Sequence, residues 1–367
     1  MDLKSITRSF LLVTLLFLLG SWGNRAHRII NERSVLSFPP PMSFMMFWGS
    51  ILEDHAMDAD YRKDIDPSEA PKHYINIDEY PEFNLSGSIP HGWQEVLAAH
   101  GLSFVLDKGI LPWATVTAFD TLVQCFVRHD YNKAVLMASD LGHYIGDGHN
   151  PLHLTMNYDG QATGQNGIHS RYETSMINRY DDLIVYPGDS VWFIQDVNEH
   201  VFAYIEANYA YVDSILIADQ YAKQQAGSTS STLYYQLLLE ETGTFTTKLL
   251  RQASRNLAAL IYTAWIQAGS PVFWPNSIGE KESIGNLCAF PNPSAGAVNI
   301  SFDVAKETDI GVMIMDGAGR ILLEVPAVRF LPGIHTMKTS EETLPPGMYY
   351  CILTSGKERS GIRFVRY

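Results

Sequence analysis

Apolar residues recur every three to four positions along LAAHGLSFVLDKG, AFDTLVQCFVRHDY, NKAVLMASDLGHYIG and TTKLLRQASRNLAALIYTAWIQAG. That spacing places them on one face of a helix. The helical pattern runs from about Ser43 to Phe273, broken by glycine- and proline-bearing stretches that read as loops, EYPEFNLSGSIPHG and MNYDGQATGQNG. No βαβ alternation accompanies it, so the first architecture is an all-α domain. After Trp274 the period changes. PNSIGEKESIGN is a polar, glycine-containing linker, and beyond it VNISFDV, IGVMIMD, ILLEV, MYYCILTS and IRFVRY alternate as strands do. Turn signals such as GAGR and PPG separate them, which predicts a small β-sandwich of about 80 residues.

The N-terminus adds a third element. Lys4 and Arg8 precede an apolar run from Phe10 to Leu19 broken only by Thr14, the order of a secretory signal. The run is short for a membrane span. The chain therefore divides into a signal peptide over 1–21, a helical domain over 22–275, a linker over 276–287 and a β-sandwich over 288–367.

Composition narrows the function. With 367 residues, 46% hydrophobic and 18% charged, both domains can bury a core. A formal net charge of -14 argues against a stable nucleic-acid partner, because a duplex binder carries a basic footprint. Phosphodiester chemistry stays open, since metal ions can supply positive charge locally. Three cysteines give no disulfide framework: Cys125 sits in an apolar helical stretch as a buried thiol, and Cys288 and Cys351 read as unpaired, although pairing between them is open.

The chemistry concentrates in HYIGDGHNPLH, residues 143–153. His143 and Asp147 are four apart, on one helical face within reach of one ion. Pro151 disfavours continued helix at Asn150, so His153 can turn back from the break. Gly146 and Gly148 remove bulk beside Asp147, leaving room for ions or substrate. Sixteen residues after His153, HSRYE repeats the pairing with His169 and Glu173. Upstream, WGNRAH offers Trp22 and His27, and DADYRKDIDPSEAPKHYIN offers Asp58, Asp60 and His73. Histidines and carboxylates without cysteine suit hydrolytic rather than structural zinc. His55 and His149 read as structural or rim residues, His129 as exposed, and Tyr172 as core.

Two resemblances follow. The ordered set from Trp22 to Glu173 resembles the zinc-dependent phospholipase C and single-strand nuclease superfamily, a helical fold with three zinc ions. The resemblance implies that Asp60, His73, His143 and Asp147 hold one zinc, and that Trp22, His27 and Asp147 hold a second. It implies that His153, His169 and Glu173 hold the third. Cleavage between Ser21 and Trp22 would free the Trp22 amine for that role. Spacing also permits Asp58 in place of Asp60; ADY favours Asp60, which would orient or deprotonate the attacking water as the catalytic residue. Glu173 and the short gap from His153 to His169 are similar to the phospholipase branch. The expected activity is hydrolysis of phospholipid, with transient contact at a membrane surface. The alternatives are a nuclease of the same superfamily and a non-catalytic surface-binding protein with structural zinc.

The second resemblance covers Ala289 to Tyr367. FPNPSAG, MDGAGR, LPGIH and LPPGMYYCILTSG, in that order, resemble the sorting domain of the type IX secretion system of the Bacteroidota. It implies the secretion machinery as a partner, and passage through the periplasm to the cell surface or outside.

Overall fold

The computed structural model describes residues 23–271, 284–317, 319–339, 344–356 and 358–367. The signal peptide, Trp22 and most of the linker lie outside the described residues.

Thirteen helices precede the strands among the described residues: α1 Asn24–Ser34, α2 Trp48–Asp54, α3 Asp58–Arg62, α4 Pro81–Ser86, α5 Trp93–His100, α6 Leu102–Lys108 and α7 Leu111–Val127 come first. Then follow α8 Tyr131–Gly148, α9 Ile168–Ser170, α10 Ile177–Tyr180, α11 Val197–Tyr209, α12 Val212–Ala226 and α13 Thr232–Gln267. None of the helices is by itself long and apolar enough to cross a membrane. Helix begins well before Ser43, because Asn24 to Ser34 alternates buried Ala26, His27, Ile30 and Asn31 with polar residues. LAAHGLSFVLDKG is two helices rather than one: Gly101 takes φ +78 and breaks the ladder. The expected loop EYPEFNLSGSIPHG contains α4, which has Pro81 in its first turn and ends at left-handed Gly87.

The frame of the helical domain is the crossing of α1, α2 and α8. Asn31 donates from Nδ2 to Leu52 O at 3.0 Å and to Ser139 O at 3.1 Å, satisfying buried carbonyls of both neighbours. The α8 backbone faces α1 through Gly142 and Gly146, one helical turn apart. A Cβ built on Gly142 would lie 2.0 Å from Asn31 Oδ1, so only glycine lets the helices approach this closely. Asp130 caps α8 by accepting from Lys133 N at 3.2 Å. At the other end, Asn150 accepts from Leu152 N at 3.1 Å, and Pro151 opens a 3-10 turn over Pro151–His153.

Seven strands form two antiparallel sheets: β1 Ile284–Phe290, β2 Asn299–Val304, β3 Thr308–Asp316, β4 Ile321–Phe330, β5 Gly333–Lys338, β6 Gly347–Ser355 and β7 Glu358–Arg366. One sheet is ordered β1-β2-β5, the other β4-β3-β6-β7. Ile300, Phe302, Ile314, Cys351 and Phe364 are buried in the core of this all-β domain. The first strand starts at Ile284, within the stretch read as linker, because pairing of Ile284 with Val304 already begins there. Asp316 and Gly319 close the turn between β3 and β4: Asp316 Oδ1 accepts from Arg320 N at 3.0 Å, and Gly319 takes φ +79. Cys125, Cys288 and Cys351 are all free thiols.

Candidate metal centre

Seven segments bring eight of the nine expected ligands to one region, and the ninth, Trp22, lies outside the described residues. His27 comes from α1, Asp60 from α3, and His73 from a 3-10 turn over Ala70–His73. His143 and Asp147 come from α8, His153 from the turn that follows it. His169 sits on α9, and Glu173 on a π-helical turn, Arg171–Met176, that continues it. Wide turns of this kind recur at functional sites.

Three groups could each hold a cation: His27, His143 and Asp147; Asp60, His73 and His143; and His153, His169 and Glu173. In the first, His27 Nε2 stands 3.4 Å from Asp147 Oδ1, and the His27 and His143 rings stack with centroids 3.9 Å apart. In the second, Asp60 Oδ1 is 3.4 Å from His143 Nε2 and 3.6 Å from His73 Nδ1. Asp147 ties the two together, its Oδ2 being 2.9 Å from His73 Nδ1 and 3.4 Å from His143 Nε2. In the third, Glu173 Oε2 is 3.0 Å from His169 Nε2 and 3.5 Å from His153 Nε2. Asp58 is placed apart from this region: it pairs with half-exposed His55 at 2.7 Å.

Second partners fix the imidazole tautomers. His143 Nδ1 donates to Ala56 O at 2.7 Å, His153 Nδ1 to His73 O at 2.6 Å, and His169 Nδ1 to Tyr158 O at 3.2 Å. A carbonyl can only accept, so each ring keeps a proton on Nδ1 and turns Nε2 inward, the nitrogen that would give its lone pair to a metal. Asn150 donates from Nδ2 to Glu173 Oε2 at 2.9 Å and holds that carboxylate in place. His153 Nε2 and Glu173 Oε1 are buried with no hydrogen-bond partner among the described residues. Buried polar atoms are rarely left so. The all-nitrogen-and-oxygen donor set fits zinc.

Charge is concentrated in the cluster. Burial raises the Asp147 carboxyl, but His143, His153 and hydrogen bonds from His27 and His73 outweigh it and hold it well below the usual range. Burial likewise raises Asp60, which His143 and Lys63 bring far below its ordinary value. Burial lowers His143, yet Asp147 and Asp60 push it up to about 9. Burial and then His143 push His27 down to about 4. Without a cation, protons on imidazole balance the carboxylates; a bound metal would displace them.

Two residues depart from the sequence reading. Gly146 and Gly148 leave no space for ions: a Cβ on Gly146 would meet His27 Nδ1 at 2.8 Å, and one on Gly148 would meet Tyr204 Cε2 at 2.8 Å. They admit neighbouring side chains instead. His149 is buried and structural, donating from Nδ1 to Ile145 O at 2.7 Å and accepting from Asn256 Nδ2 at 3.0 Å. His129 is exposed, and Tyr172 is fully buried with its hydroxyl 2.8 Å from Thr246 Oγ1. Glu69, buried beside His73, escaped the sequence reading; its signal was the i, i+4 spacing in EAPKH.

The family model of the secretion system C-terminal sorting domain matches residues 288–365. That domain directs the chain through type IX secretion to the cell surface or outside. No curated protein matches the sequence. Among solved structures, an alpha toxin from Clostridium absonum is similar at 11% identity and a TM-score of 0.43, over 93% of this chain and 96% of that one. Clostridium perfringens alpha-toxin from an avian strain gives 12% and 0.44, over 92% and 97%. A Pseudomonas fluorescens alkylpurine DNA glycosylase gives 12% and 0.22, over 93% and 99%. Likeness this weak transfers no function.

Proposed function

We propose that the exported chain is a zinc-dependent phosphodiesterase of phospholipase C type that hydrolyses phospholipid at a trinuclear site. The observation that carries this reading is the convergence of His27, Asp60, His73, His143 and Asp147 beside the His153, His169 and Glu173 group, with three imidazoles locked with Nε2 inward. Asp60, His73, His143 and Asp147 would hold one ion; Trp22, His27 and Asp147 a second; His153, His169 and Glu173 the third.

Zinc held by these residues would supply Lewis acidity toward a phosphoryl oxygen and a water nucleophile near pH 7. Asp60, ionised and partly accessible, would orient or deprotonate that water. Asp147, fully buried and ionised, would hold two ions in register. Asn150 fixes the angle of Glu173 through its 2.9 Å hydrogen bond. A lipid substrate is favoured by apolar side chains left in water near the ligands in sequence: Tyr61 and Ile65 beyond Asp60 are 60% and 83% exposed, and Met156 beyond His153 is 42% exposed.

The test assays the purified mature protein on phosphatidylcholine and on single-stranded DNA, with and without chelator. Chelator-sensitive release of phosphocholine without DNA cleavage supports the reading. DNA cleavage without lipid turnover moves the assignment to a zinc nuclease. Neither activity, with zinc bound, leaves a structural-zinc binding protein.

A further inference from the structure

We infer that Glu69 is a positioning residue whose carboxylate holds His73 with Nδ1, rather than Nε2, turned towards the metal. The inference rests on the metal-binding reading above. His143, His153 and His169 present Nε2 and tether Nδ1 to a main-chain carbonyl. His73 is reversed. Its Nδ1 lies 2.9 Å from Asp147 Oδ2, 3.1 Å from His143 Nε2 and 3.6 Å from Asp60 Oδ1. When Nδ1 gives its lone pair to a cation, the ring proton has to sit on Nε2. That atom is buried without a hydrogen bond and faces Glu69 Oε1 at 3.7 Å, a few tenths of an ångström beyond hydrogen-bond reach.

Glu69 is 1% exposed and held from three sides. Lys72 Nζ lies 2.7 Å from Oε2, Arg62 Nη2 donates to Oε1 at 3.3 Å, and the Tyr144 hydroxyl donates to Oε1. Arg62 is anchored in turn by Asp140 at 3.0 Å, and the Tyr144 ring meets the His73 ring edge-on at 5.6 Å. A buried ionic group of this kind adds little stability over an apolar replacement. Its placement is accounted for by His73: a carboxylate behind a ligating imidazole fixes the ring and raises its basicity. His73 thus has a carboxylate, and not a main-chain carbonyl, behind the nitrogen turned away from the cluster.

The experiment compares wild type, Glu69→Gln, Tyr144→Phe and Lys72→Gln after equilibration in graded zinc buffers, reading bound zinc by elemental analysis and fold by circular dichroism. Glu69→Gln is expected to weaken one of the bound zinc ions about 10- to 100-fold and leave the others in place. Tyr144→Phe, which keeps every charge, should weaken the same ion less. Lys72→Gln, which removes one of the three holds on Glu69, should weaken the same ion less than Glu69→Gln does. Should Glu69→Gln fail to fold, Tyr144→Phe decides, and unchanged zinc affinity there overturns the inference. Equal loss in Lys72→Gln and Glu69→Gln also overturns it, since the network would then act only through stability. Wild type holding zinc while Glu69→Gln binds identically overturns the Glu69 role alone. Wild type holding no zinc overturns the metal reading and this role together.

Discussion

Gly146 lies directly under the imidazole of His27: a Cβ built there would stand 2.8 Å from Nδ1 and 2.9 Å from Cε1. The glycine is therefore what lets α1 bring His27 against His143 and Asp147 of α8. Alanine in place of a mid-helix glycine normally adds about 1 kcal/mol of stability. At this position it must push His27 away. Gly146→Ala is expected to melt at a lower temperature than wild type and to lose one zinc. Gly243→Ala in α13, where the new Cβ meets only the Leu239 side chain at 3.1 Å, should not. Equal stability and full zinc in Gly146→Ala would show that α1 yields without cost.

Asp147 stands between two groups of candidate ligands, 3.4 Å from His27 Nε2 and 2.9 Å from His73 Nδ1. Asp147→Asn keeps the shape but removes the charge that two cations would share. Turnover should fall by more than about 100-fold, the upper end for a residue that only supports a ligand. Circular dichroism should stay close to wild type. Near-normal turnover would refute a shared carboxylate.

Much of this candidate site was legible in the sequence, because its candidate ligands come in helical pairs. His143 with Asp147 and His169 with Glu173 are local i, i+4 relationships, and spacing alone puts them together. The role of the glycines was not legible. Whether a glycine opens space or admits a neighbour depends on which helix crosses it, and the crossing of α1 on α8 is a tertiary fact fixed by Asn31 and Ser139. The choice between Asp58 and Asp60 had the same character: two residues apart on α3, they point to different partners, His55 and His143. Glu69 was overlooked because an acidic residue in a polar stretch looks solvated until the fold buries it. In the β domain, strand alternation gave five strands, while β1 and β5 are short segments whose identity comes from pairing with β2.

On the proposed reading, Trp22 would join processing to chemistry. An indole is a poor zinc ligand, so a metal role for this residue needs its backbone amine and carbonyl, and the amine is free only after cleavage behind Ser21. Mass spectrometry of the exported protein should find Trp22 first. A chain with one extra residue ahead of Trp22 should lose one zinc and most of its activity while staying folded. Full activity in a chain that begins elsewhere would remove Trp22 from the ligand set.

Away from the metal centre, His91 pairs with Glu199 at 2.8 Å and with Glu206 at 3.2 Å. Burial lowers its pKa, but the two glutamates outweigh burial and raise it. The folded chain thus holds this proton more tightly than the unfolded chain, whose histidine titrates near 6.5. The stabilisation is complete below about pH 6.5 and is lost as pH rises through the folded value. Wild type should lose melting temperature relative to His91→Gln as pH rises above about 6.5, by no more than about 3 °C because the pair is partly exposed. Parallel curves for the two proteins would contradict the pairing.

The central claim is that this exported helical domain works through bound zinc, and elemental analysis joined to activity tests it most directly. Mildly purified mature protein should contain about three zinc ions per chain. Dialysis against chelator should remove both the metal and phospholipid turnover, and returning zinc should restore turnover. A metal-free chain that hydrolysed phospholipid at the undiminished rate would contradict the account.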